Sequence, residues 1–541
     1  MPGKLRRRVV VRCVLAHDVG TSGDKATLYD EEGVLVGSAF SPYATLCPRA
    51  GWVEQSPREW WRAVCETTNR LLHDGRVGPA EIVAVSFSGQ MMGTTPVDKG
   101  GGPLRDAIIW ADQRAAGEVA HVAERVDPRR VYAVTGHRLS ASYSAAKMLW
   151  IKEEEADIYK ATYKFLNAKD FLAAQLTGSF VTDRSDASGT NLYDLRGGGW
   201  CGELVDAFGI EADRLPRVCE ATDVVGEVSR SAEAETGLGQ GTPVVMGGGD
   251  GSSAAVGAGA IREGVAYSAI GSSSWVALAT REPIYDPEMS TFSFAHLVPS
   301  MYVPCGTMQT AGISYQFARD LLAQGEKVVA AELGVAAYEV MDKEVAQSPP
   351  GASGLVFLPY LMGERSPRWD LDARGAFIGL TVEHRRSDLM RAVLEGVALN
   401  LRVILDTFRR EGASIQGLRV IGGGARSAVW NQIMADVLRV PVHRLAMDVE
   451  ATSMGAAVAA GVGVGLWEGF SVVDEMVRVT RVVSPREELF PLYDELYDIF
   501  NDAYLSLDKA SVFRRLRASA RYFREAVERG QAASGAVSGA G

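Results

Sequence analysis

Cysteine is scarce and scattered in this chain. Cys13, Cys47, Cys65, Cys201, Cys219 and Cys305 are the only six in 541 residues; none forms a Cys-x-x-Cys pair, and no histidine stands near them at metal-ligand spacing. That argues against a disulfide frame and a zinc site, and the thiols are expected to be reduced and inert. A basic excess is also missing: 56 Lys and Arg against 67 Asp and Glu leave a net charge of −11. A broad nucleic-acid surface is therefore not expected, although local loops can still admit an anionic nucleotide. Long apolar runs are lacking too. Arg6-Arg7-Arg8 and the apolar residues after it have the outline of a secretory leader, but Arg12 interrupts the run and Asp18 ends it. The Gly/Ala-rich stretch from Ala451 to Trp467 is shorter than a membrane span and reads as a packed helix. The expectation is a soluble, cytoplasmic protein with neither membrane nor nucleic acid as partner. Two nucleotide signatures are absent as well: a P-loop ending in Gly-Lys-Ser/Thr, and a Gly-x-Gly-x-x-Gly fingerprint after a strand. Walker and Rossmann nucleotide folds are accordingly disfavoured.

What is present is globular. Apolar residues make up 47% of the chain and charged residues 23%, and 541 residues exceed one core, so two or three domains are expected. Val9 to Leu15 reads as a buried strand, Asp18-Val19-Gly20-Thr21-Ser22-Gly23 as a loop, and Lys25 to Tyr29 as a second strand. Pro57 to Leu72 reads as a helix with Trp60, Trp61 and Val64 on one face, and Val83 to Phe87 as a strand. The stretch 143–178 reads as amphipathic helix. This alternation predicts an α/β fold.

A second start appears near 243. Pro243 to Met246 is a strand, Gly247-Gly248-Gly249-Asp250-Gly251 a turn, and Ser252 onward a small-residue helix. Val265 to Ile270, Gly271-Ser272-Ser273-Ser274 and Trp275 to Ala279 then repeat the strand–turn–strand layout of residues 9–29. A duplicated domain facing itself across a cleft is the reading that follows. Ser387 is placed as the N-cap of a helix running to Phe408, with apolar residues at helical spacing. Leu418 to Ile421, Gly422-Gly423-Gly424-Ala425 and Val429 to Leu438 give a third strand–glycine–helix station. After about 508 a basic helix (Arg514, Arg515, Arg517, Arg521, Arg524) is expected, then a disordered end from Gln531 to Gly541.

Glycines let a backbone approach an anion, and hydroxyls and amides can then contact phosphate oxygens. A carboxylate in such a loop suits Mg²⁺, which combines carboxylate, water and substrate phosphate. An ordinary Gly-rich hairpin with a surface Asp is the other reading of Asp18 to Gly23. Phosphoryl transfer requires in-line positioning, charge neutralisation and a base near the attacking hydroxyl. Asp250, flanked by glycines at a strand end, fits the base; N-capping of Ser252-Ser253-Ala254 is its alternative use.

Two longer patterns go further. Ser142 to Glu154 carries a Lys-hydrophobic-x-Trp core at Lys147-Met148-Leu149-Trp150, and Gly375-Ala376-Phe377-Ile378-Gly379-Leu380 is followed by Asp388-Leu389 and Ala392-Val393-Leu394-Glu395. With the glycine stations, the chain resembles the FGGY carbohydrate kinases over roughly residues 12–500. The resemblance implies two ribonuclease-H-like domains of the actin, Hsp70 and hexokinase fold facing a central cleft. It places a sugar-binding domain at 1–252, a nucleotide-binding domain at 253–500 and a helical tail at 501–541. It further implies ATP and Mg²⁺ as cofactors, a small sugar as substrate, and compatibility with a homodimer.

Carried over by position, the resemblance puts Asp18 at the metal and γ-phosphate, with Thr21, Ser22 and Lys25 along the phosphates. Gly271 and Ser272 would form a second phosphate loop, Gly312 and Gln316 a nucleotide-contacting helix, and Gly423, Gly424 and Ser427 the adenosine side. Asp250 matches the base. Gln90, Met91, Met92, Trp110 and Asp112 would line the sugar site, and Glu364-Arg365-Ser366-Pro367 matches a segment lining the cleft between domains, although a salt-bridged structural turn is the preferred reading of it. Xylulose kinases of the family carry His where Met92 stands and Asn where Gly251 stands, and both departures remove a polar partner. The acceptor is expected to be a ketopentose such as xylulose or a related polyol, and the two departures make xylulose itself a poor or secondary substrate beside a related polyol or less oxygenated sugar. Gluconate or glycerol kinase, and an actin-like nucleotide switch, remain alternatives.

Overall fold

The structure, a computed structural model, describes residues 12–446 and 450–519. Arg6 to Val11, Arg521, Arg524 and the segment 531–541 lie outside the described residues. No helix among those described is long and apolar enough to cross a membrane.

The first half is built on a six-stranded sheet. Its strands are β1 (Cys13–Val19), β2 (Gly23–Asp30), β3 (Leu35–Pro42), β4 (Ile82–Gly89), β5 (Val224–Glu227) and β6 (Pro243–Gly249), in the order β5-β6-β4-β1-β2-β3. β1 is central, parallel to β4 and antiparallel to β2, which explains its almost unbroken apolar run. The second half carries seven strands: β7 (Val265–Ile270), β8 (Ser274–Leu278), β9 (Phe292–Ala295), β10 (Tyr302–Met308), β11 (Gly417–Ile421), β12 (Val442–Leu445) and β13 (Val479–Val483), ordered β9-β10-β8-β7-β11-β12-β13. In both sheets a central strand turns back through a tight hairpin and lies parallel to a later strand on its other side. The duplication expected from the two glycine hairpins is therefore a duplication of sheet topology.

Helix α1 (Pro57–His73) buries Trp60 and Val64 against the first sheet, in one core with Leu15 and Phe87. The region 143–178 is not one helical run. It divides into α2 (Ser144–Glu154), a short helix at Ala156–Ala161, a strand at Lys164–Leu166 and α3 (Ala168–Thr177). The break is a strand pairing of Lys164–Leu166 with Thr95–Val97, a tertiary contact that helical periodicity does not register.

The division at 252/253 falls inside α4 (Asp250–Gly257). Further on come α5 (Gly312–Leu322), α6 (Arg386–Arg410), α7 (Ala428–Leu438), α8 (Ala451–Gly463) and α9 (Phe490–Lys509). The cap of α6 is Arg385 rather than Ser387, because the Asp388 carboxylate accepts the Arg385 amide at 2.8 Å. α8 packs on β1, β4 and β6 of the first sheet and crosses α4 at very close range. A Cβ on Gly257 would collide with the Ala451 carbonyl, and one on Gly455 with the Ser253 carbonyl. Small residues at this crossing thus set how near the two helices approach.

Candidate active site

Between the sheets lies a cavity of about 410 Å³ lined by residues of both halves. Met91, Met92, Trp110 and Tyr143 come from the first half. Tyr267, Ser273, Ser274, Trp275, Phe292, Phe294 and Arg365 come from the second, and Asp250 and Thr452 from the crossing helices.

Asp250 opens α4 where β6 ends. Its Oδ1 accepts the Gly251 amide at 2.7 Å, so it caps only its own neighbour, and the carboxylate faces the cavity. Burial, followed by the charge of Asp18, raises its pKa to about 7. Asp18, at the end of β1, is raised to about 6, again mainly by burial, with Thr452, Lys25 and Ser88 opposing the rise. Asp250, at the start of α4, therefore feels the charge of Asp18 on β1. Neither carboxylate has an ion-pair partner among the described residues that would bring its pKa back down, so both are pushed up toward neutrality by burial.

The glycine hairpins border the same space. In the first, the Gly20 amide donates to Gly23 O at 3.1 Å and Asp18 pairs in register with Lys25. Its carbonyls are taken by protein donors: Gly20 O by the Tyr43 hydroxyl at 2.5 Å, Thr21 O by the Gln55 amide at 2.7 Å and Ser22 O by the Tyr43 amide at 3.4 Å. In the second, Gly271 O accepts the Gly312 amide and Ser272 O the amides of Ala311 and Ile313, all at 3.0 Å. The amides of Thr21, Ser22, Ser272 and Ser273 have no backbone partner among the described residues. Donors left free in a glycine turn are what an anion site requires. Gly312 is obligatory here, since a Cβ would collide with Gly271 O.

The third station leans on the second hairpin. Gly422 has φ 87°, and a Cβ on Gly424 would strike the Ile270 side chain, so the loop lies against the strand that leads into Gly271. Ser427 caps α7 by accepting the Trp430 amide at 3.1 Å. Gly423 and Gln316 are exposed on this side, outside the cavity wall.

Of the expected sugar-site residues, Met91, Met92 and Trp110 line the cavity, the last donating its indole N–H to Thr21 Oγ1 at 3.1 Å. Gln90 is buried behind them and donates to Gln55 Oε1 at 2.7 Å. Asp112 does not reach the cavity: it is buried against Arg114, with Nη2 to Oδ2 at 2.7 Å, and accepts the Val53 amide. Met92 is held in the left-handed region, φ 62°, unusual for a long side chain. Lys147, whose pKa burial pulls down to about 7, donates to Met92 O at 2.7 Å. The lysine of the Lys-hydrophobic-x-Trp pattern thus shapes the cavity wall from behind.

Glu364 and Arg365 do not form the salt-bridged turn expected of them. Glu364 points inward and accepts the Gln309 and Arg365 amides at 2.8 and 2.9 Å, whereas Arg365 faces the cavity and makes no ion pair among the described residues. The sequence reading also missed the aromatic wall. Trp275 stacks on Phe294 with centroids 6.0 Å apart and meets Phe292 edge-on at 5.8 Å. Alternate aromatic residues in β9 and Trp275 after the Gly/Ser turn were the available signal.

Comparison with known proteins agrees with this geometry. The model of the FGGY family of carbohydrate kinases matches with its N-terminal domain over residues 13–257 and its C-terminal domain over 266–464. A xylulose kinase of Staphylococcus epidermidis is 32% identical over 502 residues, 92% of this chain and 97% of that protein. A gluconokinase of Bacillus subtilis is 32% identical over 489 residues, 90% and 94% of the respective chains. The crystal structure of a xylulose kinase from Rhodospirillum rubrum superposes with a TM-score of 0.85 at 32% identity, covering 93% of this chain and all of that one.

Proposed function

The chain belongs to the FGGY family of carbohydrate kinases and is a sugar phosphotransferase, and from that premise we propose that it transfers the γ-phosphoryl group of ATP to a hydroxyl of a ketopentose such as xylulose or a related polyol. The observation that carries this reading is the placement of Asp250, a carboxylate with its pKa near neutrality, on the wall of an aromatic-lined cavity beside Asp18 and the two amide-bearing hairpins.

In this reading Asp250 accepts the proton of the attacking hydroxyl, and its raised pKa suits that task near neutral pH. Met91, Met92 and Trp110 pack against the carbon face of the acceptor. The amides of Thr21, Ser22 and Ser272 and the side chain of Lys25 hold the nucleotide phosphates; Gly271 and Gly312 give the backbone its close approach, and Gln316, Gly423, Gly424 and Ser427 form the nucleoside side. The donor set fits Mg²⁺, which uses one or two carboxylates together with phosphate oxygens, and Asp18 is the residue that would hold it. Bound there, the ion would neutralise phosphate charge. Closure of the cleft excludes water, so that phosphoryl transfer to the sugar outruns hydrolysis.

A second reading, phosphorylation of a sugar acid, has one observation behind it. Arg365 and Arg138 flank Trp369 at 6.0 and 5.1 Å, and neither makes an ion pair among the described residues. A coupled assay over ketopentoses, alditols and aldonic acids separates the readings: the highest kcat/KM on a neutral acceptor supports the first, and on an aldonate the second. Asp250→Asn is expected to abolish turnover on the best acceptor while leaving nucleotide affinity within about twofold, because the residue acts on the hydroxyl. Near-normal turnover in that variant would leave Asp250 as a helix-start residue only.

A further inference from the structure

We propose that Asp250 is aimed by a clamp of two hydrogen bonds, one from each domain, with Ser185 holding the amide of Gly249 and Tyr267 the carbonyl of Gly251. The proposal rests on the reading of Asp250 as the base. Ser185 lies in the short helix Arg184–Ser188 of the first half, and its Oγ accepts the Gly249 amide at 2.8 Å. Tyr267 lies on β7 of the second half, and its hydroxyl donates to the Gly251 carbonyl at 2.7 Å. Residues 249 and 251 are the two neighbours of the base. Both holding residues are buried, Ser185 away from the cavity and Tyr267 on its wall.

The N-terminal half of the clamp is itself fixed. Asp183 Oδ2 accepts both the Ser185 amide at 2.7 Å and the Ser185 hydroxyl at 2.5 Å. That leaves the Ser185 lone pairs facing Gly249. Asp183 Oδ1 in turn meets Lys169 Nζ at 2.8 Å, and Asp170 and Asp186 meet the same ammonium at 2.6 and 3.1 Å. A buried four-residue charge cluster therefore ends on the amide one residue before the base. The turn has little other freedom: a Cβ on Gly248 would lie 2.5 Å from Leu297, and one on Gly249 2.5 Å from Met91. The C-terminal half of the clamp comes from the opposite sheet, so the position of the carboxylate depends on how the domains sit. A base aimed from both sides is fully aligned only when the two halves are in register, which ties proton acceptance to cleft geometry.

Tyr267→Phe and Ser185→Ala test this in the full-length enzyme. Each is expected to lower kcat about tenfold with the nucleotide KM unchanged, since a lost buried hydrogen bond moves the base and not the phosphate loops. The acid limb of the kcat profile should move to lower pH in both, as a loosened turn admits water to the carboxylate. The double variant should lose little more than the worse single one, because either bond alone leaves the turn unclamped. Unchanged kcat and acid limb in Tyr267→Phe, which keeps the ring and removes only the hydroxyl, would overturn the clamp even if Ser185→Ala failed to fold. So would a fall in kcat matched by an equal change in nucleotide KM. Asp250→Asn in the same assay separates the two ideas: if it remains active, the base reading fails; if it is inactive while Tyr267→Phe is normal, only the clamp fails.

Discussion

The hairpins at Asp18–Lys25 and Ile270–Ser274 hold equivalent places in their sheets and differ in charge. Each joins a central strand to an antiparallel neighbour, gives its carbonyls to protein donors and leaves turn amides without backbone partners. The first carries Asp18 in register with Lys25, and Asp24 turned to His17, whereas the turn at 271–274 has only glycine and serine. A duplicated backbone has thus been given two electrostatic roles. Near the first hairpin the local field can hold a cation and govern a neighbouring acid; near the second, neutral dipoles offer hydrogen bonds to an anion. Under the proposed function, such separation would keep carboxylates away from part of the phosphate path, where they would repel it.

Substituting the two hairpins tests that division most directly. Asp18→Asn is expected to lower kcat by more than about 100-fold and to weaken the Mg²⁺-dependent part of nucleotide binding, since it removes the charge that the second hairpin lacks. Ser272→Ala should cost less than about fivefold in either quantity, because the second hairpin acts through backbone amides. Steady-state kinetics and calorimetric nucleotide titrations at varied Mg²⁺ measure both. Equal losses would mean that the hairpins are not differentiated.

Support beneath the hairpins differs as well. Gly20 has room for a methyl group, its nearest neighbour being Gly23 O at 3.7 Å, whereas a Cβ on Gly312 would collide with Gly271 O. Gly312→Ala is therefore expected to weaken nucleotide binding about tenfold by displacing the second hairpin, with Gly20→Ala near parental. Parental affinity in Gly312→Ala would show that the second hairpin carries little of the nucleotide.

The charged half should also be the half that makes the free protein pH-sensitive. Asp250 and Asp18 have native pKa values raised from 3.8 to about 7 and about 6. A raised native pKa means that the folded state binds protons more tightly than the unfolded chain. The associated stability is fully present below about pH 4 and is lost as pH rises through 6 and 7. At pH 8 the ligand-free Asp250→Asn variant should then be more stable than the parent by about 1–3 kcal/mol, and the gain should shrink toward pH 4. Denaturant melts at the two pH values read the difference, and a gain that does not vary with pH would place its cause elsewhere. The same titration predicts loss of turnover below about pH 7 in the parent, as the base takes up a proton.

Much of this division was legible in the residues. Glycine beside a strand, hydroxyls and one carboxylate are local signals, and Asp18, Asp250, Gly271 and the 422–424 loop were located by them. Met91, Met92 and Trp110 followed from the family resemblance. Asp112 is placed at the sugar by the same resemblance; Arg114, two residues on, takes up its carboxylate, and only the folded geometry reveals that pairing. For Glu364 to Pro367 the preferred salt-bridged turn fails, because Glu364 turns to backbone amides, whereas the cleft-lining alternative describes Arg365. The break of 143–178 into two main helices depends on a strand pairing with residues 95–97, which no helical spacing encodes. What escaped the sequence in each case was a contact between segments distant in the chain, or the direction of a side chain within one segment.

The smallest expected effect concerns acceptor choice, where the aromatic second half meets the first. Met92 and Gly251 stand where xylulose kinases of the family carry His and Asn, which suggests a less polar and roomier pocket. Met92 does stand on the cavity wall, but residue 251 has little spare room: a Cβ there would lie 3.0 Å from Trp275 Cζ2 and 3.2 Å from Cη2. Trp275 therefore occupies the direction in which an Asn side chain would grow. Met92→His alone keeps the backbone hold of Lys147 and adds a polar edge, and it should raise the xylulose-to-alditol ratio of kcat/KM by about two- to fivefold. Adding Gly251→Asn should cancel that gain, since the indole must yield to admit the amide. Joining both to Trp275→Phe, which shortens the ring system, should restore it. If the double variant prefers xylulose without any change at Trp275, the ring gives way freely and residue 251 sets the choice itself. Ratios that stay constant across all three variants would move selection away from this wall, to the loops at 41–54 and 138–144.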